Sequence, residues 1–200
     1  LRYSDDQLIV EGLARNYGRV SFVVRISHAP RAKVRHVIFQ PMAVLEVQWE
    51  EKPRAKLMRP IAARVSQPWS SLHTSPIKAA ITLFLAEFLL QVCRHEQSGE
   101  LFFDYLLHSL TWLDTAEEGF ANFHLLFLMR LAQFLGIAPN TSDTGLPYFD
   151  LMAAEFVSRA PAHAYYIYGD EARAFEQLLR MNFSTMHLFQ LTRTQRNRIL

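Results

Sequence analysis

Two runs of cations carry the strongest chemical signal in this sequence. Arg25, Arg31, Lys33 and Arg35 fall within eleven positions, and Lys52, Arg54, Lys56 and Arg59 within eight. Aromatic residues Phe22, Phe39 and Trp49 are interleaved with them. A positive groove that tracks phosphates, with rings on which bases stack, is the chemistry of single-stranded nucleic-acid binding. Each residue also has a plainer use. Phe22 and Phe39 suit a hydrophobic core better than a stacking surface, Trp49 lies beside charges and fits either, and the cations could be ordinary solvated loops.

A reaction centre is harder to assemble. The eight histidines form no His-Glu-x-x-His motif and no paired ligand spacing, and no serine stands in a nucleophile elbow. The seven glycines are scattered singly, so no Gly-rich phosphate loop exists. Cys93 and His95 are neighbours on a helix predicted to be buried, where a lone cysteine acts as a small hydrophobe. Glu117-Glu118 reads as charge at a helix N-terminus rather than a catalytic pair. One cysteine can build neither an internal disulfide nor a cysteine-rich zinc site. The expectation is a binding protein with no catalytic residue, no cofactor and no metal.

The elements that must position these residues change character along the chain. Half the residues are apolar and 12% aromatic, enough to build a real core. Residues 1–75 hold 12 Lys/Arg against 6 Asp/Glu, whereas residues 76–200 hold 9 against 13, within a net charge of +2. A basic half joined to an acidic half suggests two modules with different partners, although two solvated faces would give the same counts. Arg2, Asp5 and Asp6 argue against a signal peptide. The most apolar stretch, residues 79–92, contains Glu87 and is too short to span a bilayer. Single-cysteine usage fits a reducing cytoplasm. The chain starts at Leu1 without methionine and ends inside a helical pattern, so both ends are expected to be trimmed.

Short β-branched runs at 8–10 and 20–24 flank the turn signal Asn16-Tyr17-Gly18. Residues 44–49 alternate with period two, and a last strand is expected over 57–65. Several strands with no intervening helix suggest a small barrel or sandwich. After Pro68 the period changes. Ser75 as N-cap and Pro76 at the first helical position start a helix that is apolar on nearly every side and is expected to be central and buried. Leu101, Phe102, Tyr105, Leu106, Leu110 and Leu113 mark a second helix. Residues 120–135, stopped by Gly136, form a third. A small hairpin is expected from Phe149-Asp150-Leu151 and Glu155-Phe156-Val157, then helices over 170–181 and 184–200. Thr192 and Gln195 have capping-box spacing, so a break near Thr192 is expected.

Several stretches in order resemble one family. They are Arg2-Tyr3-Ser4-Asp5-Asp6-Gln7-Leu8-Ile9-Val10, Tyr17-Gly18-Arg19-Val20, Phe39-Gln40-Pro41 and Phe84-Leu85-Ala86-Glu87-Phe88-Leu89. They continue with Glu100-Leu101-Phe102, the run from Phe123 to Gly136, and Met181-Asn182-Phe183-Ser184-Thr185-Met186-His187-Leu188-Phe189. Together they are similar to RecO recombination mediators, in the form found in Bacteroidetes-like members. Three departures stand out. Arg25-Ile26-Ser27-His28 replaces a Lys-Gly-x-Arg, Pro139 to Gly145 carries no thiol where many members have a cysteine cluster, and most of the first barrel strand is absent.

The resemblance implies an α+β fold of two domains. Residues 1–70 would be a small β-barrel of OB type that binds DNA, and residues 71–200 a mostly α-helical bundle that binds proteins. It implies a non-enzymatic DNA repair mediator in the cytoplasm, associated with the nucleoid. Such a protein binds single- and double-stranded DNA, anneals complementary strands and helps load recombinase with its partner RecR. The DNA-binding candidates are Arg25, Arg31, Lys33, Arg35, Arg54 and Lys56. The helical half would receive the acidic, Phe-ended tail of single-stranded DNA-binding protein, for which Arg130 and Phe134 are candidates. Arg130 as a mere surface ion-pair partner is the competing reading. Arg193, Arg196 and Arg198 are read as a solvated helix face. A helical adaptor whose β-domain binds protein instead of DNA is the alternative.

Overall fold

The computed structural model describes residues 2–27, 29, 32–50, 57–93 and 99–200. Five strands come first. β1 (Arg2–Ser4), β2 (Gln7–Ala14) and β3 (Gly18–Arg25) form an antiparallel sheet in chain order. The turn between β2 and β3 closes with the Tyr17 amide donating to the Ala14 carbonyl at 3.3 Å and Gly18 at φ 70°, which favours glycine. β4 (Val44–Trp49) pairs antiparallel with β5 (Pro60–Gln67).

Met58 joins the two sheets. Its N–H donates to Ser21 O at 2.9 Å and its carbonyl accepts from Val23 N at 2.8 Å, while Ala63 N donates to Lys33 O at 3.1 Å. The last strand therefore begins later than the expected residue 57, because Met58 is pairing with β3 instead. The result is a small OB-type barrel. Along β3 the period-two pattern turns Val20, Phe22 and Val24 inward and leaves Arg19 and Arg25 outside. Val10, Val34, Phe39, Val47, Trp49 and Met58 pack on that cluster. Burying each large apolar side chain there stabilises the barrel by about 1.5–3 kcal/mol.

Helices α1 (Pro76–Val92) and α2 (Glu100–Thr115) follow. One expectation is corrected here. The buried residues of α1 include Lys78, Thr82 and Leu85, whereas Ile77, Leu83 and Leu90 are exposed, so the helix is not buried on all sides. Its buried polar groups are satisfied, the Thr82 hydroxyl donating to Ala79 O at 2.9 Å and Lys78 Nζ to Ser71 Oγ at 2.7 Å. On α2 the stripe Phe102, Leu106, Leu110 and Leu113 is buried as its spacing requires, but Leu101 is 79% exposed.

The end of α2 is tied to residues 70–72. The Asp114 carboxylate accepts from Ser70 N (2.9 Å), Ser71 N (2.7 Å), Leu72 N (2.9 Å) and Ser70 Oγ (2.8 Å). Trp69 Nε1 in turn donates to Met42 O at 3.0 Å, which secures a turn where Met42 has φ 58°. By compactness the chain divides into Leu1–Thr115 and Ala116–Leu200, so α1 and α2 group with the strands.

In the second unit α3 (Phe123–Phe134) ends in a Schellman turn. Gly136 sits at φ 70°, Ile137 N donates to Ala132 O at 3.0 Å, and Gly136 N donates to Gln133 O at 3.3 Å. The hairpin of β6 (Tyr148–Asp150) and β7 (Glu155–Val157) gains a third strand, β8 (Tyr166–Tyr168), on the other side of β6. Phe149 and Phe156 turn inward, and Phe149 meets Phe175 of α4 (Asp170–Arg180) at 4.5 Å between ring centroids. The helix expected over 184–200 is not continuous. A 3₁₀ turn at Met186–Leu188 precedes α5 (Arg193–Ile199), which opens on a complete Thr192–Gln195 capping box. Residues 184–189 are drawn from the helix by Asn182, whose side chain accepts from Ser184 N and Thr185 N, and by the burial of Met186.

Candidate nucleic-acid interface and partner site

The cations of the strand half fall into two groups. Arg15 reaches α2, with Nη1 at 2.7 Å from Asp104 and 3.2 Å from Glu100 and its guanidinium 4.7 Å from the centroid of Phe103. Arg19 pairs with Glu11 at 3.1 Å, and Arg64 with Glu46 at 2.5 Å. These three are engaged by the fold. Lys33, Arg35 and Arg59 are exposed and have no carboxylate partner among the described residues. Arg25, with 82% of its side chain exposed, lies 3.9 Å from Asp6, too far for a hydrogen bond. Of the sequence candidates, then, Arg25, Lys33 and Arg35 present accessible charge. Arg31, Arg54 and Lys56 lie outside the described residues.

Arg25 and Arg59 line one shallow cleft of about 270 Å³ with Asp6, Gln7 and Val23. The pairing pattern explains why. Gln7 stands opposite Arg25 in the β2–β3 register, and Met58, which precedes Arg59, is bonded to Ser21 and Val23 on the other side of β3. Lys33 and Arg35 do not line this cleft. Lys33 offers its carbonyl to β5, and Arg35 immediately precedes the 3₁₀ turn His36–Ile38. Lys33 and Arg35, near Arg25 in the sequence, thus do not share its cleft, while Arg25 and Arg59, 34 positions apart, converge.

Among the aromatics Phe22 is 4% exposed, and Phe39 packs on the same core. Trp49 meets Phe22 edge-on at 5.4 Å and Tyr17 at 5.2 Å. Its ring belongs to the barrel wall, and the exposed ring beside it is Tyr17, 61% exposed. In the sequence Tyr17 stands out as part of the turn signal Asn16-Tyr17-Gly18 and of the family-like Tyr17-Gly18-Arg19-Val20, and not as a stacking ring.

On α3, Arg130 and Phe134 are four residues apart and share a face. The guanidinium of Arg130 donates to the Met181 carbonyl at 3.3 Å, which holds the side chain beside the end of α4, and Phe134 is 41% exposed. No carboxylate pairs with Arg130 among the described residues. Near the C-terminus Arg198 pairs with Glu171 and Arg196 donates to the Leu191 carbonyl.

Three titratable groups are displaced from their ordinary values. Burial alone would raise the Asp114 carboxyl, but the amides of Ser70, Ser71 and Leu72 and the Ser70 hydroxyl outweigh it and bring it from 3.8 to about 2. Burial, and then the positive charge of Arg196, lower His124. Asp150 is lowered by the amide of Ala153, with the amide of Met152 and His163 adding to the effect; its Oδ2 lies 3.2 Å from His163 Nε2. Among the described residues no group of three or more His, Cys, Asp or Glu could hold a metal ion.

Set beside known families, the strand half and the helical half both match. The family model for the recombination protein O N terminal covers residues 1–69, and that for the recombination protein O C terminal covers residues 73–200. The chain belongs to the RecO family. It is similar to the DNA repair protein RecO of Bacteroides fragilis, 46% identical over 202 residues that cover 100% of this chain and 84% of that protein. It is 41% identical to the DNA repair protein RecO of Phocaeicola vulgatus over 100% of this chain and 83% of that protein. With that of Porphyromonas gingivalis it shares 30% identity over 99% of this chain and 83% of that protein. RecO chains are DNA repair and recombination proteins, and the barrel that carries Arg25 and Arg59 is their N-terminal part. No helix among the described residues of this RecO chain is long and apolar enough to cross a membrane.

Proposed function

We propose that this RecO-family chain is a recombination mediator that acts by binding and not by covalent chemistry. Residues 1–70 engage single- and double-stranded DNA through Arg25, Arg31, Lys33, Arg35, Arg54 and Lys56. The observation that carries this is the pair of cation groups on the barrel. Arg15, Arg19 and Arg64 are held by carboxylates, whereas Lys33 and Arg35 have no carboxylate partner among the described residues and Arg25 has only a loose contact with Asp6 at 3.9 Å. Exposed cations that are not tightly paired bind phosphates by releasing counterions, which yields affinity without sequence preference. Neutralising two backbones at once lowers their mutual repulsion, so the same surface anneals complementary strands.

Residues 71–200 take the protein partners. An acidic peptide tail ending in phenylalanine needs a cation for its carboxylates and an apolar neighbour for its ring. Arg130 beside exposed Phe134 supplies both. The chain thereby engages DNA covered by single-stranded DNA-binding protein and, with RecR, helps load recombinase in the cytoplasm, at the nucleoid. A gel shift with single-stranded oligonucleotides at two salt concentrations tests the core of this reading. Binding that weakens steeply with salt is expected. Absence of binding at low salt would leave a protein adaptor in its place.

A further inference from the structure

The geometry points to a phosphodiester-binding subsite in the cleft between Arg25 and Arg59, with Asp6 as a built-in counter-charge that limits its affinity. It rests on the nucleic-acid reading above, adds Asp6 to it, and gives Arg59, one of the second run of cations, a place beside Arg25 and a group to act on.

Three neighbouring backbone segments deliver the side chains. Gln7 comes from β2, Arg25 from the opposite position of β3, and Arg59 from the segment that Met58 bonds to the far side of β3 at 2.8 and 2.9 Å. Strand pairing and the Met58 hydrogen bonds hold these three segments together. Its volume of about 270 Å³ far exceeds one water's share of the liquid, about 30 Å³, and Val23 provides its apolar wall.

The charges bear on the occupant. Among the described residues the lining holds two arginines and one carboxylate, a surplus of one positive charge. Asp6 does not saturate Arg25. It lies 3.9 Å away, and its Oδ1 accepts from Ser4 Oγ at 2.9 Å, which holds the carboxylate in place. Among the described residues no carboxylate lies within hydrogen-bonding distance of either guanidinium, and the N–H forks of arginine match the oxygens of a phosphate. The surplus attracts the negative charge of a phosphodiester, and the neighbouring phosphates of a strand engage further exposed cations such as Lys33 and Arg35, which a free phosphate does not. Asp6 repels the same phosphate, so it weakens the interaction and favours release, which suits a protein that must leave the strand after annealing.

The test is fluorescence anisotropy of a labelled oligothymidine titrated with the full chain across a series of salt concentrations. Arg59→Ala and Arg25→Ala should each weaken binding about tenfold. Each should also lower the slope of log affinity against log salt by about 0.7. Asp6→Asn should tighten binding about two- to fivefold, the scale of an exposed charge interaction, and the gain should shrink on an Arg25→Ala background. Arg64→Ala, which breaks a pair with Glu46 elsewhere on the barrel, should change nothing. Inorganic phosphate should compete no better than chloride at equal ionic strength. If the wild type binds but Arg59→Ala and Asp6→Asn match it, the subsite is refuted while the DNA reading stands. If the wild type does not bind, both fall. Displacement by inorganic phosphate beyond the chloride effect would overturn the phosphodiester assignment.

Discussion

Replacing Asp114 by asparagine should destabilise the first unit, and the loss should depend on pH. The carboxylate collects four hydrogen bonds of 2.7–2.9 Å from Ser70, Ser71 and Leu72, and it is 9% exposed. Its pKa falls from 3.8 to about 2 on folding. At about 1.4 kcal/mol per pH unit, that drop corresponds to about 2 kcal/mol of stability at neutral pH. Asparagine keeps one acceptor oxygen but turns an NH₂ group toward donors, so the cost at pH 7 should be about 2–4 kcal/mol. Because the folded pKa is depressed, the stabilisation is complete above the unfolded value of 3.8 and is lost as pH falls toward 2. Urea unfolding followed by tryptophan fluorescence reads Trp49, Trp69 and Trp112, all in the unit concerned. The curves of wild type and Asp114→Asn should lie apart at pH 7 and approach each other between pH 4 and the folded pKa of about 2. Equal stability at pH 7, or a gap that does not narrow on acidification, would refute the reasoning.

Three further outcomes follow from the same geometry. Glutamate at Arg31, Lys33 and Arg35 together should weaken oligonucleotide binding without changing the unfolding midpoint, with the salt slope falling by about 0.7 for each phosphate no longer neutralised; unchanged affinity and slope would make this loop a solvated face. Arg130→Ala should weaken binding of a fluorescent tail peptide of single-stranded DNA-binding protein about tenfold, with Arg130→Lys recovering only part; equal affinities for all three proteins would remove Arg130 from the site. Phe22→Ala should cost about 3–5 kcal/mol in chemical unfolding, because the ring is 4% exposed in the barrel core; a near-neutral effect would count against its place there.

The sequence by itself determined whatever depends on neighbours a few residues apart. The alternation of Val20, Phe22 and Val24 sets an inward face for β3, Pro76 starts α1, Gly136 turns the chain at φ 70°, and Thr192 with Gln195 caps α5. Such signals are local because strand and helix periods, caps and turns are properties of consecutive dihedrals. The candidate site was only half legible for the same reason. Its cations could be counted and grouped by spacing, but the pairing of Arg15, Arg19 and Arg64 with carboxylates became visible only once those carboxylates were located in space. Tertiary structure alone decided which groups meet. Asp114 binds amides more than forty residues away, Arg59 joins Arg25 because Met58 pairs with β3, and the all-round apolar α1 shows Leu83 and Leu90 to solvent. Those outcomes depend on which surfaces the chain closes upon each other, and pairings between distant residues leave no periodic trace in the residues that make them.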